Sequence, residues 1–499
     1  KTMSVTLNRR NLLKAGGAAA AAAALTASQT AAAAADPCKK PTKWDYTADV
    51  VVIGSGGAGL AAAISATQSG AKVIVAEKLG FVGGNTLLCS GYYNCPDPDR
   101  QGRQGIKDSV ALHVKQTLAA GDYRADPVLV QTLCENGLPT LHWLESLGMK
   151  FQPKVIQVYG ALYPRSHLAA ESKGAGYIRV LKAKADELGV KFLLNTKMSD
   201  IVREGAQKGR VLGVLATQNG KKIAIRAKRG VVLAAGGYAA NPILRSVYDP
   251  RLRNLTTTNN TACSTGEVML AANAAGAMLV GTDYIQCNPG PRPGHQNGIR
   301  QSLHLDVSRY IYVDLRGKRF VHEDARRDVL RDAVLNLPEQ WGYVIVDADG
   351  FAANPAAAQR DAKRGLETGD AYTAPTLDEL AKKIKIDPAV LKQTVDEYNK
   401  AVDTKKDPLG RDPSMLIHKL EKGPWWAAVS AMACHHTMGG VRIDKNARVI
   451  GLDGKVIPGL YAAGEVTGGI HGSNRVGGNA VLDIHVFGRI AGRSAAQKA

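Results

Sequence analysis

Ala48-Asp-Val-Val-Val-Ile-Gly54-Ser-Gly56-Gly-Ala-Gly59-Leu60 opens a stretch that continues through an alanine-rich segment to Gly70-Ala-Lys-Val-Ile-Val-Ala-Glu77. Residues 50–53 are a short continuous apolar run, the signature of a parallel strand buried on both faces. Gly54, Gly56 and Gly59 form G-x-G-x-x-G. The first permits a tight turn, the second lets backbone approach a pyrophosphate, and the third lets the next helix pack on the strand. The pattern predicts a helix over about 58–68, closed by Gly70, and a second strand over 72–76. Glu77 follows Gly54 by 23 residues, the spacing at which an acid can accept hydrogen bonds from a ribose. Strand, glycine turn, helix, strand and acid together predict a dinucleotide site and an α/β, Rossmann-like fold. They leave the identity of the dinucleotide open.

The glycine-turn pattern returns twice. Gly230-Val-Val-Leu-Ala-Ala235-Gly236-Gly237 reads as a strand entering a turn, and so does Pro458-Gly-Leu-Tyr-Ala-Ala-Gly464-Glu465. Gly83-Gly84-Asn85-Thr86 supplies small residues whose backbone N–H groups can approach phosphate or ring atoms. Between these, helices are expected over 106–119, 127–147 and 178–188, and a strand over 191–194. Residues 211–217 and 222–226 form a hairpin about Asn219-Gly220. Ser264-Thr-Gly-Glu267 reads as a cap opening a helix to residue 275. Residues 287–298 are rich in Pro and Gly and read as a loop or domain crossing. Strands are expected at 311–313 and 344–346. Helices follow over 377–384, capped by Thr376, and over 389–401, opened by Asp387-Pro388. The last helix spans 479–494. No internal repeat is evident.

The chain of 499 residues is long enough for two domains. Asn8-Arg9-Arg10-Asn11-Leu12-Leu13-Lys14 precedes an Ala/Gly/Leu run, and Ala33-Ala34-Ala35 stands before Asp36 as a cleavage site. The paired arginines resemble a twin-arginine export signal over residues 1–35, which implies a periplasmic protein folded around its cofactor before export. No other apolar run is fit to span a membrane. Net charge is +20; removing Lys1, Arg9, Arg10 and Lys14 leaves +16. The basic residues are scattered and aromatics are only 5%. That argues against nucleic acid and for an anionic substrate or an acidic partner. The seven cysteines include no C-x-x-C and no C-x-x-C-H, so no c-type haem attachment, zinc or iron–sulfur pattern is present. In an oxidising compartment Cys89 and Cys95 could pair, but the odd count leaves at least one thiol free, and buried free thiols are the default expectation.

Several stretches together resemble the flavoproteins of the fumarate reductase and succinate dehydrogenase group, above all periplasmic fumarate reductases of the flavocytochrome c type and relatives acting on other 2-enoates. They are 54–77, 83–86, Gly317-Lys-Arg-Phe-Val-His-Glu323 through Arg327-Asp328, His435-His-Thr-Met-Gly-Gly440, and Gly464-Glu-Val-Thr-Gly-Gly-Ile-His-Gly-Ser-Asn-Arg475 through Gly477-Gly-Asn-Ala480. The resemblance implies FAD, bound by a Rossmann-like domain at 45–283 and 437–499, with an α+β clamp domain inserted at 284–436. It carries cofactor contacts onto Gly54, Gly56, Gly57, Ala58, Gly59, Glu77 and Lys78, and onto Gly83, Gly84, Asn85 and Thr86. It extends them to Ala235, Gly236, Gly464 and Glu465, the last toward the ribityl chain. Gly478, Asn479, Ala480 and Val481 would aim a helix N-terminus at the flavin ring. Asn85 stands where membrane-bound relatives carry a histidine bonded to flavin, so the FAD is expected to be non-covalent.

Reducing a 2-enoate needs a hydride donor, a carboxylate anchor and a proton donor. By resemblance His436 and Arg475 hold one carboxylate; Arg327 lies against the same end and passes the proton. A guanidinium fork suits a carboxylate. The resemblance weakens at the other end. Fumarate reductases place a histidine where Asn288 stands, and a Thr-Glu pair where Ser302-Leu303 stand, so Asn288 and Ser302 are the expected substrate contacts there. The arginine of the proton relay falls near Asp306. Arg309, His304, Arg300 and His295 are candidates to rebuild that end. One carboxylate clamp kept and one lost predicts a 2-enoate other than fumarate, such as urocanate, acrylate, methacrylate or a cinnamate-like acid. A true fumarate reductase, a flavin dehydrogenase or oxidase, and a flavoprotein subunit that only relays electrons remain as alternatives. With no second dinucleotide fingerprint, electrons would come from a separate cytochrome c or quinol-linked donor.

Overall fold

The computed structural model describes residues 40–158, 160–171, 173–295, 303–304 and 306–497. The export signal and Ser302 therefore lie outside the described residues. Tyr46–Ile53 is the first strand, and its last four residues are all buried. It sits between Val73–Ala76 and Lys221–Leu233, parallel to both, with Val51 level with Ile74 on one side and Val231 on the other. Lys191–Leu193 and Val456–Ala462 extend this parallel core outward. Among the described residues the sheet has eight strands.

The helix between the first two strands, Gly57–Gln68, is buried along ten of its residues. Helix Asn479–Ala496 lies against it at a distance only glycine allows. A Cβ on Gly488 would come 2.7 Å from the carbonyl oxygen of Ala58, and one on Gly492 would come 2.1 Å from that of Ala62. The C-terminal helix thus covers the same face of the sheet as the glycine-turn helix and brings residues 464–480 to the turn.

A second sheet of six strands is built on the long strand Trp425–Thr437, which is buried for nearly its whole length. Trp341–Val346, Ala371–Ala374 and Ile285–Gly290 pair with it antiparallel, and Ile311–Val313 pairs with Trp341–Val346. Helices Leu377–Lys383 and Pro388–Thr404 close a second apolar core over it, with Leu380, Leu391, Val395 and Tyr398 inside.

Several expectations change, among them the helix expected over 178–188, which is Lys173–Glu187. The helix expected from 106 begins at Val110, where Ser109 Oγ caps the N–H of Leu112 at 3.1 Å. The single helix over 127–147 is two, Pro127–Glu135 and Gly137–Ser146. Pro139 has no N–H to give, and its ring would clash with the carbonyl four residues back, at Glu135. Ser264 caps nothing. Helix Glu267–Ala274 starts from Gly266 at φ +80°, and Ser264 Oγ instead accepts a hydrogen bond from Asn85. Finally, 287–298 is not all loop, since Ile285–Gly290 is a strand. Among the described residues it pairs with Trp425–Thr437 alone, an edge position of the kind where a proline such as Pro289 is tolerated. The hairpin turn is as expected, with Asn219 at φ +46° and Gly220 at φ +80°. The strand leaving it runs on to Leu233 without the break between 226 and 230. The described cysteines, Cys89 and Cys95 among them, are free thiols.

Candidate active site

At the C-terminal edge of the parallel strands lies an open groove that encloses, together with solvent at its mouth, about 920 Å³. Gly54, Gly56, Gly57 and Ala58 form its floor, with Glu77 and Lys78 on one side, Gly84, Asn85 and Thr86 on another, and Ala235, Gly236 and Glu465 farther along. The turn is shaped by contact. Gly54 has φ +98°, and a Cβ there would meet the Ala234 carbonyl at 2.5 Å. A Cβ on Gly59 would lie 1.9 Å from the Gly54 oxygen, so this glycine serves the packing of helix on strand. A Cβ on Gly56 would meet nothing closer than 3.8 Å. Its face is open to the groove.

Glu77 is buried. Its Oε2 accepts from the N–H and the hydroxyl of Ser55, at 2.9 and 2.6 Å, and Oε1 accepts from the N–H of Leu79 at 2.9 Å. These bonds orient the carboxylate and leave acceptor capacity for a ligand hydroxyl. Lys78 Nζ is engaged by the Cys263 carbonyl, Thr265 Oγ1 and Glu267. Asn85 ties the groove wall to the loop at 260–264, donating to Ser264 and accepting from the N–H of Asn260 at 2.9 Å. Thr86 Oγ1 accepts from the N–H of Gly57 at 3.0 Å. Glu465 Oε1 accepts from Thr437, N–H and hydroxyl both, and loss of hydration pushes its pKa up to about 7.

Gly59, Gly83, Gly464, Gly478, Asn479, Ala480 and Val481 are not among the residues lining this groove. Asn479 turns its amide to Asn94, His113 and Thr117 and so fixes the start of the last helix. Sequence reading missed Ser55, Met198, Cys263, Ser264 and Ile484, which do line it. Ser55 sits inside the glycine motif, where a residue able to orient Glu77 had a readable signal. Of the others, Met198 is on strand Thr196–Gly205, Ile484 is on the last helix, and Cys263 and Ser264 are in a loop; none carries a cofactor-binding motif.

Arg327, His436 and Arg475 are all buried and come together beyond the groove. Register explains how. Gln286 is level with His436 across the strand pair, and Asn288 lies two residues along the same edge strand. Gln286 Oε1 accepts from Arg475 Nη2 at 2.8 Å, and Asn288 Oδ1 accepts from Arg327 Nη1 at 3.2 Å. The amide of Gln286 donates back to the Arg475 carbonyl at 2.9 Å. Arg327 opens helix Arg327–Leu335 and is not held by the acids nearest in sequence. Glu323 is taken by Arg319 and Arg411, and Asp328 by Arg326.

Burial concentrates positive charge here. Burial and the neighbouring Arg327 push Arg475 down to about 9. Burial, then Arg475, holds His436 well below its ordinary value, so the imidazole is neutral. Two guanidiniums buried close together repel; Glu465 and Asp483 offset part of that repulsion at Arg475, and a bound carboxylate would offset more. Arg475 Nε and His436 Nδ1 have no hydrogen-bond partner among the described residues.

The other candidates at this end are engaged elsewhere. Arg309 pairs with Asp306 at 3.1 Å, His304 Nε2 lies 3.3 Å from Ser430 Oγ, and His295 lies 3.7 Å from Asp370. Arg300 is outside the described residues. Among the described residues no helix is long and apolar enough to cross a membrane.

Residues 49–481 match the FAD binding domain family, and residues 6–26 match a twin-arginine translocation signal sequence. The chain is 37% identical to a fumarate reductase (cytochrome) of Shewanella frigidimarina, over 90% of this chain and 77% of that one. It is 34% identical to the acrylate reductase flavoprotein subunit of Shewanella woodyi, over 90% and 92%. It is 33% identical to an NADH:acrylate oxidoreductase of Vibrio harveyi over 90% of this chain, which spans about half the length of that relative. The open conformation of a flavocytochrome c3 fumarate reductase superposes with a TM-score of 0.77 at 32% identity, over 99% of this chain and 82% of that one. The chain belongs to this family of FAD-binding, fumarate reductase-type flavoproteins. It is an FAD-dependent oxidoreductase, and its twin-arginine signal directs it to the periplasm. The groove meets the needs of FAD, with an oriented buried acid at Glu77, an open glycine face at Gly56 and a second carboxyl at Glu465.

Proposed function

We propose that this flavoprotein reduces the C=C bond of a 2-enoate that carries one carboxylate at its recognised end. One observation carries this reading. Arg327, Arg475 and neutral His436 make a single cationic pocket, and where a second anchor would stand, Asn288 is already engaged by Arg327. Relatives that act on acrylate and on fumarate support the reaction class.

FAD, when bound, supplies the hydride. Arg475 and His436 grip the substrate carboxylate and draw electron density from the double bond, which makes one alkene carbon electrophilic. Gln286 holds the Arg475 fork in place from one side, and its amide bond to the Arg475 carbonyl fixes the loop. Asn288 aims Arg327 at the second alkene carbon, where a proton from Nη completes the reduction. A guanidinium does not stay deprotonated, so Arg327 must be reprotonated at once through groups that reach solvent. Burial of all three side chains excludes water from the reacting end. A separate cytochrome c or quinol-linked carrier is the proposed electron source.

The test is anaerobic oxidation of a reduced viologen by the FAD-loaded protein with acrylate, methacrylate, urocanate, cinnamate and fumarate. At least one monocarboxylate should turn over faster than fumarate. Fumarate at the head of the series would make the protein a fumarate reductase and overturn the single-carboxylate reading.

A further inference from the structure

Asp122 does no chemistry in the scheme above, yet three segments meet on its carboxylate. It follows helix Val110–Ala120, in a turn where Asp122 and Tyr123 both take left-handed backbone, at φ +53° and +55°. Asp tolerates that region; a bulky Tyr rarely adopts it, so the turn is held by what surrounds it. Asp122 Oδ1 accepts from Arg326 Nη1 at 2.8 Å, and Oδ2 accepts from Arg326 Nη2 at 2.9 Å. Oδ2 also accepts from the hydroxyl of Ser473 at 2.5 Å.

Both partners border the anion pocket. Arg326 is the N-cap residue of the helix that begins with Arg327. Ser473 stands two residues before Arg475, and its N–H donates to the Gly121 carbonyl at 3.1 Å. Gly121 and Gly472 touch so closely that a Cβ on either would fall within 2.5 Å of the other segment's backbone oxygen. The turn and the Arg475 loop are therefore one unit, and the Asp122–Arg326 fork ties the Arg327 helix to it at the surface, beside a longer buried bond of 3.4 Å from Arg327 Nη2 to the Arg475 carbonyl. Asp328 clamps Arg326 from the other side, through Nε at 3.1 Å and Nη2 at 2.6 Å. The side chains of Arg326 and Asp122 are 43% and 44% exposed, which puts the fork on the surface, within reach of solvent ions. An isolated pair so exposed contributes little. A bidentate fork inside a four-residue network is the case that counts.

We propose that Asp122 is a positioning residue. Its fork to Arg326 latches the Arg327 helix onto the Arg475 loop and so fixes the spacing of the two guanidiniums; opening the latch, which salt favours, widens the way in for the substrate. The geometry of the latch stands on its own, while its effect on turnover rests on the reading of Arg327 and Arg475 as substrate groups.

The test uses full-length, FAD-loaded protein and two measurements. Asp122→Asn keeps a residue that tolerates the left-handed turn and removes the charge. Arg326→Gln removes the fork from the other side, and Arg326→Lys restores the charge without the fork. Hydrogen exchange at the start of the Arg327–Leu335 helix and across residues 471–476 should rise about 3- to 10-fold in Asp122→Asn and Arg326→Gln. Arg326→Lys should fall between them and wild type, and wild type in ~0.5 M salt should move toward Asp122→Asn. KM for the carboxylate should rise by more than kcat falls. Unchanged exchange in both segments would overturn the latch. So would faster exchange throughout the parallel sheet, which would make Asp122 a stabiliser of the whole fold. Local loosening in a protein that turns over no 2-enoate would uphold the latch and remove the proposed reaction.

Discussion

Asn288 Oδ1 and Arg327 Nη1 are joined by a hydrogen bond of 3.2 Å between two residues 39 apart in the chain. The bond orients the guanidinium and occupies the Asn288 oxygen. Asn288→Ala should lower kcat by about 10- to 100-fold, the loss expected when a hydrogen bond to a charged group is removed. Asn288→His adds a donor where fumarate reductases carry one. It should raise kcat/KM for fumarate relative to the best monocarboxylate by about tenfold. The kcat of Asn288→Ala checks the first expectation, and the ratio of the two kcat/KM values in Asn288→His checks the second.

Arg327→Ala should cut turnover by at least ~10²-fold while FAD stays bound, because Arg327 is not among the residues lining the cofactor groove. Flavin absorbance of the purified variant measures retention. Arg327→Lys keeps a charge but loses the planar fork and should recover only a small part of the rate.

Glu465 gives the apoprotein a pH-dependent stability. Its pKa is raised from the model-peptide range to about 7 in the fold, chiefly by loss of hydration. A raised value means that the folded state binds the proton more tightly than the unfolded chain does. The contribution is therefore fully present below about pH 4 and is lost as pH rises to about 7, by ~3 kcal/mol at most. Apoprotein Tm should fall across that window more steeply than that of Glu465→Gln, whose amide oxygen can still accept from Thr437. Equal slopes in the two proteins would show that Glu465 does not carry this dependence.

The two glycines of the turn should fail differently. Gly59→Ala puts a methyl 1.9 Å from the Gly54 oxygen and should destabilise the fold itself, by about 3 kcal/mol or more. Gly56→Ala meets nothing within 3.8 Å and should fold, but its methyl points into the groove and should weaken FAD by about 10-fold or more. Apoprotein denaturation and flavin titration separate the two effects.

Local signals were readable where one short segment decides the outcome. The glycine turn, the Asn219-Gly220 hairpin, the Thr376 and Asp387 caps and the final helix all follow from residues within a few positions of one another. The edge strand Ile285–Gly290 was not readable. Its partner lies 141 to 152 residues away, from Gly290–Ala431 to Ile285–Thr437, and its Pro and Gly argue locally for a loop. The site divides in the same way. Arg327, His436 and Arg475 could be placed by resemblance. Gln286, which holds Arg475, became visible only once the register set it opposite His436. Ser264 shows the converse case, in which a local capping signal loses to a tertiary bond with Asn85.

The central claim is that buried Arg327, Arg475 and His436 bring a single-carboxylate 2-enoate to reduced FAD. Rapid mixing of the reduced, FAD-loaded protein with such acids, without oxygen or any electron donor, tests it most directly. Flavin absorbance should return in one phase, at a rate that saturates with the acid, for at least one monocarboxylate and more slowly for fumarate; the Arg327→Ala protein should show no return. Flavin that stays reduced with every acid, or that reoxidises equally well in Arg327→Ala, would contradict the account.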